Sequence, residues 1–170
     1  MYGIPFIVNV QLLCFNKQVV KSAPRTFDDL IKASRSGIST AIGGNFLQTM
    51  WGLPGFNARL FGAKPSSRQA LKKGLSGWIT MLRTSDEEPN MALFKNPSLM
   101  KQYFSEGKIS IINCQSIDLP YLRKSLGKEN LGIVEMPTVN GKEPQSRLTG
   151  ASFAINPYTS SNQNILALRF

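Results

Sequence analysis

The feature that most restricts this chain is the alternation of two apolar patterns along it. Strand-like runs occur at "IPFIVNVQLLCF" (4–15), "STAIGG", "KISIIN", "LGIVEMP" and "ASFAIN". Between them stand segments whose apolar residues recur at helical spacing. These are Phe27, Leu30 and Ile31; Leu71, Leu75, Trp78, Ile79 and Leu82; and Leu99, Met100, Tyr103 and Phe104. A chain that alternates period two with period 3.6 has to bury a sheet face and helix stripes against each other. The predicted fold class is α/β, an open sheet flanked by helices.

The helix boundaries carry their own signals. Thr26 is placed to cap a helix whose first turn holds Asp28 and Asp29, and Gly37 closes it. Asn96 caps a second helix with Pro97 at its first position. Residues 67 to 83 form an amphipathic helix, and "TSDEEPN" after it is a polar loop. "DLPYLRKSLG" is a short helix with Asp118 as candidate cap. "TVNGKEPQSRLTG" is a loop with an Asn-Gly turn signal, and "SSNQNILALRF" begins a further helix.

Polar residues sit where strands give way to helices. Residues 43 to 48 and 113 to 118 both occupy such a mouth. In open α/β sheets ligands bind there, beyond the carboxyl ends of strands. Gln115, Ser116 and Asp118 bring an amide, a hydroxyl and a carboxylate, groups that grip hydroxyl-rich ligands. Asn45 and Gln48 border the other mouth, where Asn45 serves equally as a helix cap. Trp51 offers a flat face to a sugar ring or, at helical spacing, a large core side chain. Trp78 lies on a buried stripe and reads as core.

Charge and residue content narrow the function. Lys and Arg number 20 against 10 Asp and Glu, a net charge of +10 that attracts anions generally. The basic residues are dispersed, with no nucleic-acid motif and no interleaved aromatics, so nucleic acid is a disfavoured partner. The chain has no histidine, no nucleophile elbow and no phosphate loop, and the expectation is a binding protein, not an enzyme. No metal or cofactor is called for. Cys14 and Cys114 both lie in or beside apolar strands, where a lone thiol behaves as a small hydrophobe; a bridge between them is the alternative. Met1 is followed by no basic n-region and no cleavage site, so the chain reads as cytosolic or as a piece of a longer precursor.

The order of segments resembles the extracellular solute-binding proteins of sugar ABC transporters, a maltose-binding-protein-like family. Gly3-Ile4-Pro5, then Phe15-Asn16-Lys17, then Pro24-Arg25-Thr26-Phe27-Asp28-Asp29-Leu30 follow its pattern. So do "YFSEGKISIINCQSIDLPYLRK", "GIVEMPTVNG" and "GASFAIN". The resemblance implies a type II periplasmic-binding-protein-like fold, of which residues 1–170 are a single lobe, the second. Residues 1–15 would be the first hinge-crossing strand, 148–156 the return strand and 157–170 the start of a truncated helix. It implies ligand-facing roles for Asn9, on the hinge, and Gly150, on the return; the plain alternatives are a polar residue on a half-exposed strand and a strand start. It implies a carbohydrate or polyol ligand held without covalent chemistry, and weakly by one lobe. The implied partners are a complementary first lobe and an ABC permease, with homo-oligomers forming through the exposed hinge side. A stand-alone protein-interaction module is the alternative. The implied location is periplasmic or extracellular, free or lipid-anchored. Cys114 and Ser116 stand where the family pattern has glycine and a sugar-stacking tryptophan.

Overall fold

The computed structural model describes residues 4–60, 66–146, 148–154, 158, 160 and 162–163. Among the described residues there are six strands: β1 (Ile4–Asn16), β2 (Thr40–Gly43), β3 (Met91–Phe94), β4 (Ile111–Gln115), β5 (Leu131–Val134) and β6 (Leu148–Phe153). The helices are α1 (Phe27–Arg35), α2 (Phe46–Thr49), α3 (Arg68–Asp86), α4 (Pro97–Ser105) and α5 (Leu119–Leu126), with 3-10 segments at Met50–Phe56 and Ser116–Asp118. The chain divides into two compact units, Val10–Arg147, and Met1–Asn9 together with Leu148–Phe170.

In the larger unit the strand order is β3-β2-β4-β1-β5. β2 runs parallel to β3 and β4, while β1 is antiparallel to β4 and β5. The expected open sheet is therefore mixed. β1 reaches β4 across about a hundred residues, so nothing in local sequence dictates its direction.

The register sorts side chains onto two faces. Leu13 opposite Asn113 and Phe15 opposite Ile111 point to one side. There they meet Phe27 and Leu30 of α1, Trp51 and Leu53 of the 3-10 segment, and Trp78 and Leu82 of α3. Cys14, Ala41, Ile112 and Cys114 point to the other, against Met100 and Phe104 of α4 and Leu122 of α5. Trp78 packs edge-on to Phe27 and Trp51 at centroid distances of 5.4 and 5.3 Å.

The caps follow the sequence. Thr26 Oγ1 accepts from the Asp29 N–H at 3.1 Å, and the Asp29 carboxylate accepts from the Thr26 N–H at 3.0 Å. Gly37 adopts φ +90°, the left-handed conformation that ends α1. Asn96 caps α4, and Asn140 and Gly141 both take positive φ at the predicted turn.

Several elements differ from the sequence reading, among them β6, which begins at Leu148 inside the segment read as loop. α3 continues to Asp86, into the segment read as loop. "MALF" forms β3, at the sheet edge, where four residues without alternation carry no strand signal. The two cysteines are bridged, with Cα atoms 5.8 Å apart. Leu12 pairs with Cys114 and Cys14 with Ile112, so the thiols are diagonal neighbours on one face. The hydrophobe reading of Cys14 and Cys114 holds for their burial and fails for their chemistry. The helix expected from "SSNQNILALRF" falls mostly outside the described residues.

In the smaller unit β6 pairs with β1. A Cβ on Gly150 would stand 2.1 Å from the Ile7 carbonyl oxygen, so glycine is what permits this approach.

Candidate functional site

Because β2 and β4 are adjacent and parallel, the turns that leave them emerge on the same edge of the sheet. This topology brings five of the sequence-predicted residues to one edge: Asn45 and Gln48 after β2, Gln115 at the end of β4, and Ser116 and Asp118 after it. Asn9 and Gly150 belong to the smaller unit, on β1 and β6.

Asn45 is exposed and caps α2, its Oδ1 accepting from the Gln48 N–H at 3.0 Å. Gln48 folds back over Gly43, where a Cβ would stand 1.7 Å from the Gln48 Oε1. The Gln48 carbonyl accepts from Gln11 Nε2 at 2.6 Å and from Asn113 Nδ2 at 3.4 Å. Asn113 Oδ1 in turn accepts from the Gly43 N–H at 2.7 Å. Ser116 Oγ accepts from the Val10 N–H at 3.1 Å. Asp118 takes the Gln115 N–H on one oxygen at 3.1 Å and the Lys101 ammonium on the other at 2.7 Å. Its side chain thus closes back on Gln115 and does not cap α5.

Gln11 and Asn113 were not singled out in the sequence, yet they tie the two mouths together. Both are buried, at 6% and 3% exposure. The signal was available: Gln11 and Leu13 alternate onto one side of β1, and Asn113 breaks an otherwise apolar strand. Two acceptors of the network, Gln11 Oε1 and Gln48 Oε1, are buried and find no hydrogen-bond partner among the described residues. A buried acceptor left unpaired costs about 1–3 kcal/mol, which a donor from water or ligand recovers.

Trp51 departs from the ligand-facing expectation. It is fully buried between Phe27 and Trp78, so its ring presents no face to a ligand. The exposed aromatic at this edge is Phe46, at 52%, with Leu47 and Ile117 also half exposed or more. The grooves between α1 and α3, beside Pro54 and Lys142, and beside Pro24 and Met136 contain none of the predicted site residues. Among the described residues no group of acidic, histidine and cysteine side chains could hold a metal ion.

No described family profile matches the chain. Curated relatives do. The maltodextrin-binding protein MdxE of Bacillus subtilis is 26% identical over 94% of the chain and 42% of its own length. A maltooligosaccharide ABC transporter solute-binding lipoprotein of Streptococcus pneumoniae is 28% identical over 84% of the chain and 38% of its own length. Among solved structures, a cyclo/maltodextrin-binding protein complexed with maltotetraose superposes with a TM-score of 0.75 at 15% identity, over 99% of the chain and 46% of that protein. A Thermotoga lettingae ABC transporter solute-binding protein bound to α-D-tagatose gives 0.70 at 18% identity, over 98% and 48%. The chain spans about two fifths of the curated relatives it matches and about half of the solved ones. These relatives are solute-binding proteins, and the architecture is that of a type II periplasmic-binding-protein fold, present over about half its length.

Proposed function

We propose that this chain, similar in sequence and fold to part of the sugar-binding proteins of ABC transporters, is one jaw of a solute clamp for a carbohydrate or polyol. The polar cluster where β2 and β4 end carries the reading. It joins Gln11, Gln48 and Asn113 by direct hydrogen bonds. It holds two further acceptors, Gln11 Oε1 and Gln48 Oε1, buried without a partner among the described residues, so that a hydroxyl donor reaches them only if the Gln48 side chain moves. The relatives' maltodextrin ligands consist of such donors, and maltotetraose is the natural probe.

Asn45, Gln48, Gln115, Ser116 and Asp118 are the proposed contacts from this edge; Asn9 and Gly150, in the smaller unit, are proposed separately as ligand-facing. Asp118 acts with its charge already compensated by Lys101. Ser116 replaces a stacking group with a hydroxyl, so polar contacts carry the affinity. Phe46, Leu47 and Ile117 suit the complementary lobe or the apolar face of a sugar. Binding is non-covalent, and a single jaw provides only part of the contacts.

The pneumococcal relatives are named lipoproteins. We place this chain, like them, on the outer side of a membrane, where the Cys14–Cys114 bridge persists. Titration of the 170-residue chain with maltotetraose, followed by amide NMR, tests the reading. Saturable shifts at Gln48, Gln115 and Ser116 with roughly millimolar affinity are expected. No shift at these amides overturns the solute assignment; micromolar affinity overturns the single-jaw assignment.

A further inference from the structure

α3 presents a basic stripe to solvent that the solute site does not use. Arg68, Lys72 and Arg83 fall within about 60° of one another on its axis. Exposed Ile79 (50%) lies among them, and Lys73 is exposed on the flank of the same face. The stripe runs about 22 Å along the helix. Between Arg68 and Arg83 the helix contains no acidic residue. Asp86, at its end, is bound to the Leu93 N–H at 2.7 Å. Among the described residues the ion pairs Arg35–Glu88, Lys101–Asp118 and Lys108–Glu106 involve none of these cations. The adjoining face of α3 is committed to the core through Gly74, Trp78 and Leu82. The stripe is therefore held rigidly on a buried scaffold, unlike a disordered basic tail.

We propose that this face of α3 docks the lobe on an anionic lipid bilayer surface. A flat array of cations matches a plane of lipid phosphates, and an aliphatic side chain among the cations suits the headgroup boundary. Nucleic acid fits less well, since no aromatic stacking group stands among the cations. No helix among the described residues is long and apolar enough to cross a membrane. The proposal rests on the placement at a membrane face given above. Its failure would leave the maltotetraose titration unaffected.

The test is co-sedimentation of the purified chain with phosphatidylglycerol-containing vesicles and with neutral phosphatidylcholine vesicles, at low and at physiological salt. Retention on the anionic vesicles alone, weakening as salt rises, is expected. Lys72→Glu with Arg83→Glu is expected to weaken it roughly 30-fold or more, from about 1 kcal/mol for each cation lost. Ile79→Asn is expected to weaken it a few-fold. Lys124→Glu with Lys128→Glu, the same charge change on and just after α5, is the control and should weaken it far less. At matched ionic strength, inorganic phosphate should displace the protein from the vesicles no more than chloride does. Absence of retention at low salt, equal losses in the two double variants, displacement by phosphate beyond that by chloride at the same ionic strength, or tighter retention on duplex DNA would each overturn the proposal. Unchanged circular dichroism of the variants separates surface effects from unfolding.

Discussion

The two faces of the sheet in the larger unit solve the same burial problem differently. On the α1–α3 side, large aromatic rings interlock: Phe27, Trp51 and Trp78 contact one another at 5.3–6.3 Å between centroids. On the α4–α5 side the side chains are smaller and a disulfide joins β1 to β4. The aromatic face also receives the polar residues of the candidate site. Gln11, Asn113 and Gln115 continue the same alternation as Leu13, Phe15 and Ile111. A site built at the end of a rigid aromatic layer inherits fixed geometry, whereas the covalent staple lies on the face away from it.

The largest effect should come from the aromatic face. Trp78→Ala is expected to cost about 3–5 kcal/mol, read by denaturant unfolding. It removes a ring that is 2% exposed and whose indole N–H donates to the Thr49 carbonyl at 2.7 Å. A cost near that of a surface substitution would mean the two faces do not differ as described.

The stapled face should respond to redox conditions. Replacing Cys14 and Cys114 by alanine is expected to cost about 2–4 kcal/mol by releasing a loop closed over a separation of 100 residues. A reductant that gains access should reproduce this loss in the wild type and leave the double variant unchanged. A variant as stable as the oxidised wild type would remove the staple from the comparison.

Two glycines sharpen the contrast between core and site. A Cβ at Gly52 would meet the Trp78 ring at 2.4 Å, and a Cβ at Gly43 would meet the tip of Gln48 at 1.7 Å. The ring is locked in place and the amide tip can swing away. Gly52→Ala is therefore expected to cost about 1–3 kcal/mol, while Gly43→Ala should cost less. Gly43→Ala should instead move Gln48, so that the maltotetraose-induced amide shifts change. Equal stability losses would show that Gln48 is as fixed as the core.

The smallest effect belongs to the α1 cap. Burial pushes the Asp29 carboxyl up, but hydrogen bonds from the Arg25 and Thr26 N–H groups outweigh it and hold the group below its ordinary value. A depressed folded-state value means Asp29 stabilises the fold above the ordinary carboxylate range. That contribution is lost as pH falls through the folded value. Asp29→Asn should flatten this acid limb slightly in a pH series of thermal melts. Thr26→Ala, which removes the other half of the box, should cost about 1 kcal/mol at neutral pH.

Much of the fold was legible because its signals are local. Thr26 with Asp29, Asn96 with Pro97, and the Asn140-Gly141 turn are short-range hydrogen-bonding or φ preferences that a few residues settle among themselves. The mouths at 43–48 and 113–118 were legible for the same reason, as polar breaks after apolar strands. Trp51 was not. Its helical spacing fits both a core and a ligand-facing ring, and only the packing of Phe27 and Trp78 against it decides. β3 was missed because an edge strand of four residues takes its identity from pairing with β2.

By itself the sequence determined the alternation of elements, the caps and turns, and the polar character of two strand-to-helix junctions. Each of these depends on residues within a few positions of one another. Tertiary structure decided the antiparallel placement of β1, the pairing of Cys14 with Cys114, and the joining of Gln11, Gln48 and Asn113 into one network. Those depend on strand order and register between segments tens to a hundred residues apart. The total burial of both sheet faces selects them, and no local preference does.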